Sequence, residues 1–128
     1  MYEGHRVLIQ LIKNPVGATE VLKTVDLNSN ILVAVNSNEA DGQDISWIND
    51  AKFEILKDAK KEIVVSGVRA KEMAERLEKA GCKNCKIVDD VKDAVAYISK
   101  ISDNDITMLP NYTAYMTISK MKGFKKCC

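Results

Sequence analysis

The chain has 128 residues, enough for one domain with a core that holds without disulfide or metal help. Charged residues make up 29% with a formal net charge of +1, so no single-sign field is available to neutralise phosphates, which argues against nucleic-acid binding. No apolar stretch reaches the length of a membrane span, and Met1-Tyr2-Glu3-Gly4 lacks the charged-then-apolar pattern of a signal peptide, so the expected location is the cytoplasm.

Along the chain, apolar runs rich in Val and Ile alternate with helix-period segments. A first strand is expected from Arg6 to Ile12, with His5 at its edge on the surface. Asn14-Pro15-Val16-Gly17 leads into a helix expected over Ala18 to Val25, starting just beyond the proline. Ile31 to Val35 reads as a strand buried on both faces, as in a parallel sheet. Phe53 and Ile55 alternate with charge, which predicts a short strand over Ala51 to Leu56, and Glu62 to Val65 predicts another. Ala70, Met73, Ala74, Leu77 and Ala80 fall at steps of three and four, leaving Glu72, Glu75, Arg76, Glu78 and Lys79 for water, and Gly81 stands where that helix should stop. Lys86 to Val88 is the next strand. A helix over Val91 to Ile101 follows, apolar at Val91, Ala94, Val95, Ile98 and Ile101 and introduced by Asp89-Asp90, which suit an N-cap. Ile106 to Leu109 is the last strand, and Leu109-Pro110-Asn111 leads into a helix over Tyr112 to Lys120. The domain is expected to occupy residues 1–122, with 123–128 a basic, frayed tail.

Strands alternating with helices imply a three-layer α/β/α sandwich around a mainly parallel, Rossmann-like sheet, which keeps its functional loops at the carboxyl ends of strands. Those are Asn36 to Trp47, Ser66-Gly67-Val68-Arg69 and Pro110-Asn111-Tyr112-Thr113. The first places Asp41, Asp44 and the only tryptophan, Trp47, where a buried strand ends. It reads either as a functional loop or as an ordinary strand-to-helix turn with one capping aspartate. Neither a Gly-x-Gly-x-x-Gly fingerprint nor a P-loop is present.

Four cysteines occur as Cys82-x-x-Cys85 and Cys127-Cys128. Adjacent cysteines on a tail make a poor second ligand pair, and the Cys-x-x-Cys closes a helix rather than opening one, so neither a metal site nor a thioredoxin-type dithiol is expected. The expectation is a buried Cys85 and an exposed Cys82, with Cys82, Cys127 and Cys128 dispensable for folding.

Four blocks, Leu11 to Gly17, Asn36 to Glu54 with its Ala40-Asp41-Gly42-Gln43-Asp44-Ile45-Ser46-Trp47 core, Ser66 to Ala70, and Leu109 to Ala114, resemble the C-terminal domain of the MurT family. MurT proteins are the Mur-ligase-like subunits of lipid II isoglutaminyl synthase. The resemblance implies a Mur ligase C-terminal fold that docks a GatD-type glutamine amidotransferase. The family's C-terminal domain gives an aspartate to a Cys-His-Asp triad completed by GatD, and by motif position that residue is Asp44. The amide ligation itself, on D-glutamate of the peptidoglycan precursor lipid II, implies ATP and Mg on a Mur ligase central domain.

Two features depart from the family pattern. Asn36-Ser37-Asn38 replaces the usual Asn-Asp-Asn, and neither the ATP-binding central domain nor the zinc ribbon is present in this sequence, so the chain alone is not expected to ligate. Around Asp44, the residues Asn38, Asp41, Gly42 and Trp47 are expected to shape the loop or dock the partner. Arg69, Asn111 and Tyr112 are possible ligand-binding residues. Two of them also have a plain structural role open to them: a helix-start ion pair for Arg69, a first-turn aromatic packed on the sheet for Tyr112. The alternative function is a non-catalytic small-molecule or protein binding module that retains the fold.

Overall fold

The computed structural model describes residues 5–38, 44–102 and 105–121. Their strands are β1 (Val7–Ile9), β2 (Asn30–Ala34), β3 (Ile63–Ser66), β4 (Cys85–Ile87) and β5 (Ile106–Pro110), and their α-helices are α1 (Pro15–Leu22), α2 (Ala70–Lys79), α3 (Val91–Ile101) and α4 (Tyr112–Ser119). Two 3-10 helices, Ser46–Asn49 and Phe53–Asp58, lie between β2 and β3. The strands form one sheet in the order β1-β5-β2-β3-β4, with every pair parallel.

Strand residues alternate between two cores, as the two-residue period of a strand requires. Ile31, Val33, Ile63, Val65 and Leu109 pack on one face against Ala18 and Leu22 of α1, Met73 and Leu77 of α2, and Ile48, Phe53 and Leu56 of the 3-10 helices. Leu32, Ala34, Val64, Ile106 and Met108 pack on the other against Val91, Ala94, Val95 and Ile98 of α3 and Ala114 and Ile118 of α4. The three-layer sandwich expected from the sequence is therefore the fold, and β2, paired on both sides, is buried throughout.

Several local expectations are corrected. Helix α1 starts at Pro15, not beyond it: the Asn14 side chain accepts from Gly17 N–H at 2.8 Å, and proline at the first helical position gives up an amide that has no helical partner. The strand expected at Ala51 to Leu56 is a 3-10 helix, because the chain buries Phe53 and Leu56, three apart, rather than alternate residues. Strand β1 is only Val7–Ile9, an edge strand, and Ile101 at the end of α3 is exposed. Helix α3 begins as expected, with Asp93 N–H donating to Asp90 at 3.1 Å. His5 is half-buried, its Nε2 3.0 Å from Ser99 O.

The cysteine assignment is reversed: Cys82 is buried and Cys85 only half-buried. Gly81, at φ +96°, turns the chain back at the end of α2, with Gly81 N–H donating to Glu78 O and Cys82 N–H donating to Leu77 O, both at 3.0 Å. This is the Schellman pattern, in which the residue after the glycine packs on the last turn of the helix; Cys82 and Leu77 accordingly share a core. Burial pushes the Cys82 thiol up to about 11. Cys82→Ser is expected to cost about 1–3 kcal/mol by burying a hydroxyl in that core, visible as a lower melting temperature. Because the folded thiol stays protonated above its ordinary value of 9.0, its contribution to stability is intact below that pH and is lost as pH rises toward about 11. Cys127 and Cys128 lie outside the described residues.

Candidate functional site

Chain leaves β2 toward the 3-10 helices on one face of the sheet and leaves the adjacent β5 into α4 on the other, so a switch point opens at the carboxyl ends of these two strands. Asn36 and Asn111 stand there, both buried. Asn36 N–H donates to Asn111 Oδ1 at 3.1 Å and Asn111 Nδ2 donates to Asn36 O at 2.7 Å, so one amide side chain imitates a strand and prolongs the β2–β5 pairing. Asn36 in turn accepts Val68 N–H at 2.8 Å and donates to Thr113 Oγ1 at 3.1 Å. One asparagine thereby ties together the loops after β2, β3 and β5. The sequence singled out Asn111 but gave Asn36 no role, and its only signal was an amide placed at the end of a fully buried strand.

Gly67 lets the loop after β3 close on this strap. At φ +98° it brings its Cα so near β2 that a Cβ would stand 2.3 Å from Val35 O. The next turn starts α2, and Arg69 donates to Ser37 Oγ at 2.9 Å and to Glu72 Oε2 at 2.6 Å. Ser37 occupies the position where the MurT resemblance has a carboxylate. Here the guanidinium meets the Ser37 hydroxyl there and the Glu72 carboxylate on α2, whose acidity is strengthened by the hydrogen bond from Arg69. Tyr112 is about half exposed at the start of α4.

Asp44 is exposed at the entry of the first 3-10 helix, where its carboxylate accepts Ser46 N–H at 2.8 Å. That amide, and then the Ser46 hydroxyl, hold the carboxyl below its ordinary value, so it carries its charge at neutral pH. Trp47 is half-buried, its ring centroid 6.5 Å from that of Phe53, and so joins the loop to the core. Asn38 is exposed, and Asp41 and Gly42 lie outside the described residues.

Between this loop and α2 lies a hollow of about 390 Å³, with Asp44, Ser46 and Asn49 on one wall and Arg69, Glu72, Glu75, Arg76 and Lys79 on the other. Arg76, expected to face water, is buried beneath it. It donates to Ile48 O and Ala51 O, both at 2.8 Å, and to Glu54 Oε1 at 3.0 Å, with its guanidinium 5.7 Å from the Phe53 ring centre. The signal was present in the sequence: Arg76 lies three residues after Met73 and four before Ala80, on the apolar stripe itself. Among the described residues no group of three or more His, Cys, Asp and Glu side chains converges as a metal site would, and no helix is long and apolar enough to cross a membrane.

The architecture is that of a Rossmann-like α/β domain of the Mur ligase C-terminal type. It aligns with two structures of Mycobacterium tuberculosis folylpolyglutamate synthase, one complexed with ADP and one with ADP and AMPPCP, at TM-scores of 0.55 and 0.54, covering 92% of this chain and 30% of theirs. At 16% and 17% identity these likenesses speak for the fold alone. Residues 11–115 match the MurT ligase C-terminal family. The chain is 36% identical over 117 residues to the lipid II isoglutaminyl synthase (glutamine-hydrolyzing) subunit MurT of Streptococcus pneumoniae, covering 87% of this chain and 26% of that protein. The corresponding subunit of Staphylococcus aureus is 35% identical over 117 residues, covering 88% of this chain and 26% of its own length. The chain belongs to the MurT C-terminal family, and it spans about a quarter of the length of these relatives.

Proposed function

We propose that this domain docks a GatD-type glutaminase and gives it Asp44 as the third member of a Cys-His-Asp triad, in support of ATP-dependent amidation of D-glutamate in lipid II. The observation that carries this reading is the state of Asp44: exposed, ionised and pre-oriented by Ser46. A carboxylate that serves its own fold as a cap is enough to explain the Ser46 bond. One that must also reach a histidine on another chain has to remain accessible, and this one does. Its role would be to hold the partner's imidazole in the tautomer that takes the thiol proton and to stabilise the imidazolium that forms. On this reading Trp47, Asn38, Asp41 and Gly42 shape the loop or dock the partner, and the cytoplasm is the expected compartment.

The same reading puts ATP and Mg on a Mur ligase central domain outside this chain. The described residues do not fit a phosphate cradle. The β2–β5 crevice is strapped by Asn36 and Asn111, and Arg69 is already held by Ser37 and Glu72. The chain by itself is expected to show no micromolar affinity for ATP in titration calorimetry and no ATPase activity. A micromolar dissociation constant would instead favour the binding-module reading through Arg69, Asn111 and Tyr112. Docking is tested by sedimentation of the purified chain with a GatD-type glutaminase subunit: a stoichiometric complex is expected, and two independent species would contradict the proposal.

A further inference from the structure

We infer that Arg76 is a positioning residue for Asp44, fixing from beneath the loop the direction in which that carboxylate meets the partner's histidine. The inference rests on the triad reading above and adds to it the device that makes a surface loop rigid enough for catalysis. A four-residue 3-10 helix such as Ser46–Asn49 cannot satisfy its own last carbonyls. Here Arg76 reaches from α2 to one of them, its Nε–H donating to Ile48 O, while its Nη2 serves Ala51 O and Glu54 in the chain that follows. Planar, forked and always charged, a guanidinium can hold two carbonyls and a carboxylate at once, and a lysine ammonium cannot hold them in the same geometry. A second tether, Lys52 N–H to Thr19 Oγ1 at 3.1 Å, ties the same segment to α1. The chain from Arg76 to the site is short. Ile48 N–H donates to Ile45 O, and Ser46, one residue further, donates to Asp44, so a shift of the Ile48 carbonyl is passed on to the carboxylate.

The test is a double-mutant cycle in the complex of this chain with a GatD-type glutaminase. Arg76→Lys and Arg76→Gln are each combined with wild-type Asp44 and with Asp44→Asn, and kcat and KM for glutamine are expressed per assembled complex alongside the melting temperature. With Asp44 present, kcat is expected to fall on the order of 10- to 100-fold with KM unchanged, the size of effect that misplacing a reacting group brings. On the Asp44→Asn background, kcat is expected to fall no further. Equal losses on both backgrounds, or a lower melting temperature with kcat intact, would reduce Arg76 to a purely structural residue and overturn the inference while leaving the triad reading standing. An Asp44→Asn complex with the wild-type rate would overturn both. If neither Arg76 variant folds, Glu54→Gln, at a half-exposed site, loosens the guanidinium without emptying its pocket. It is expected to lower kcat several-fold only when Asp44 is present, and an unchanged kcat overturns the inference.

Discussion

Asp44→Asn is expected to lower glutamine hydrolysis by the assembled complex by about 10⁴-fold, the loss seen when a triad aspartate becomes an amide and its histidine is held in the wrong tautomer. The substitution is conservative for the fold: an asparagine oxygen can still accept the Ser46 N–H that now bonds Asp44 at 2.8 Å. Partner affinity and melting temperature should therefore stay near wild type while turnover collapses. Asp41→Asn, outside the described residues, is expected to act through loop order and binding, with a far smaller effect on turnover. Because Ser46 holds the Asp44 carboxyl below its ordinary value of 3.8, its charge is present above that value and is lost only as pH falls further. A loss of activity between pH 5 and 7 is then not expected to come from Asp44. Steady-state glutamate release over that pH range measures both expectations, and a wild-type rate for Asp44→Asn would remove the aspartate from the mechanism.

Gly67→Ala is expected to be the most damaging alanine substitution among the described glycines, costing about 3 kcal/mol or more, a fall in melting temperature of roughly 10 °C or more for a domain of this size. Two costs coincide there. The backbone sits at φ +98°, and the new Cβ would meet Val35 O at 2.3 Å, Val35 C at 2.7 Å and Asn36 Oδ1 at 2.9 Å. Val35 O already accepts Arg69 N–H at 2.9 Å and Asn36 Oδ1 already accepts Val68 N–H at 2.8 Å, so neither can withdraw without breaking the knot that joins β2 to β3. Gly81 is the control. Its φ is nearly the same, +96°, but the nearest atom to a new Cβ is Lys57 Cβ at 3.5 Å, so Gly81→Ala should cost only the conformational term, about 1–2 kcal/mol. Thermal denaturation of the two variants side by side checks this, and equal losses would show that the contact with β2 contributes nothing.

Layer order, five of the six expected strands and most of the apolar stripes of α2 and α3 were legible because each rests on a repeating apolar period, which a sequence displays directly; Arg76 and Ile101 fell on the wrong side of theirs, and no strand forms at Ala51 to Leu56. The loop after β2 was legible as a location, since turn residues and carboxylates follow a buried strand. Its conformation was not. Phe53 and Ile55 alternate with charge, yet the chain buries Phe53 and Leu56 instead, and Arg76, 23 residues beyond Phe53, reaches over from α2 to Ile48 O and Ala51 O, a partner that no local pattern announces. The same holds for Asn36 and Asn111, whose mutual bonds join residues 75 apart and have no local signature. The burial of Cys82 escapes the sequence for a different reason: Gly81 signals a helix stop, whereas the Schellman turn it makes also folds the following residue inward.

The domain's central role is tested most directly by titrating it into a GatD-type glutaminase at fixed concentration while following glutamate release. The account predicts a rate that climbs and saturates at one chain per glutaminase, with Asp44→Asn saturating at the same ratio and a rate orders of magnitude lower. A glutaminase whose activity is indifferent to the chain, although the two proteins bind, would contradict it.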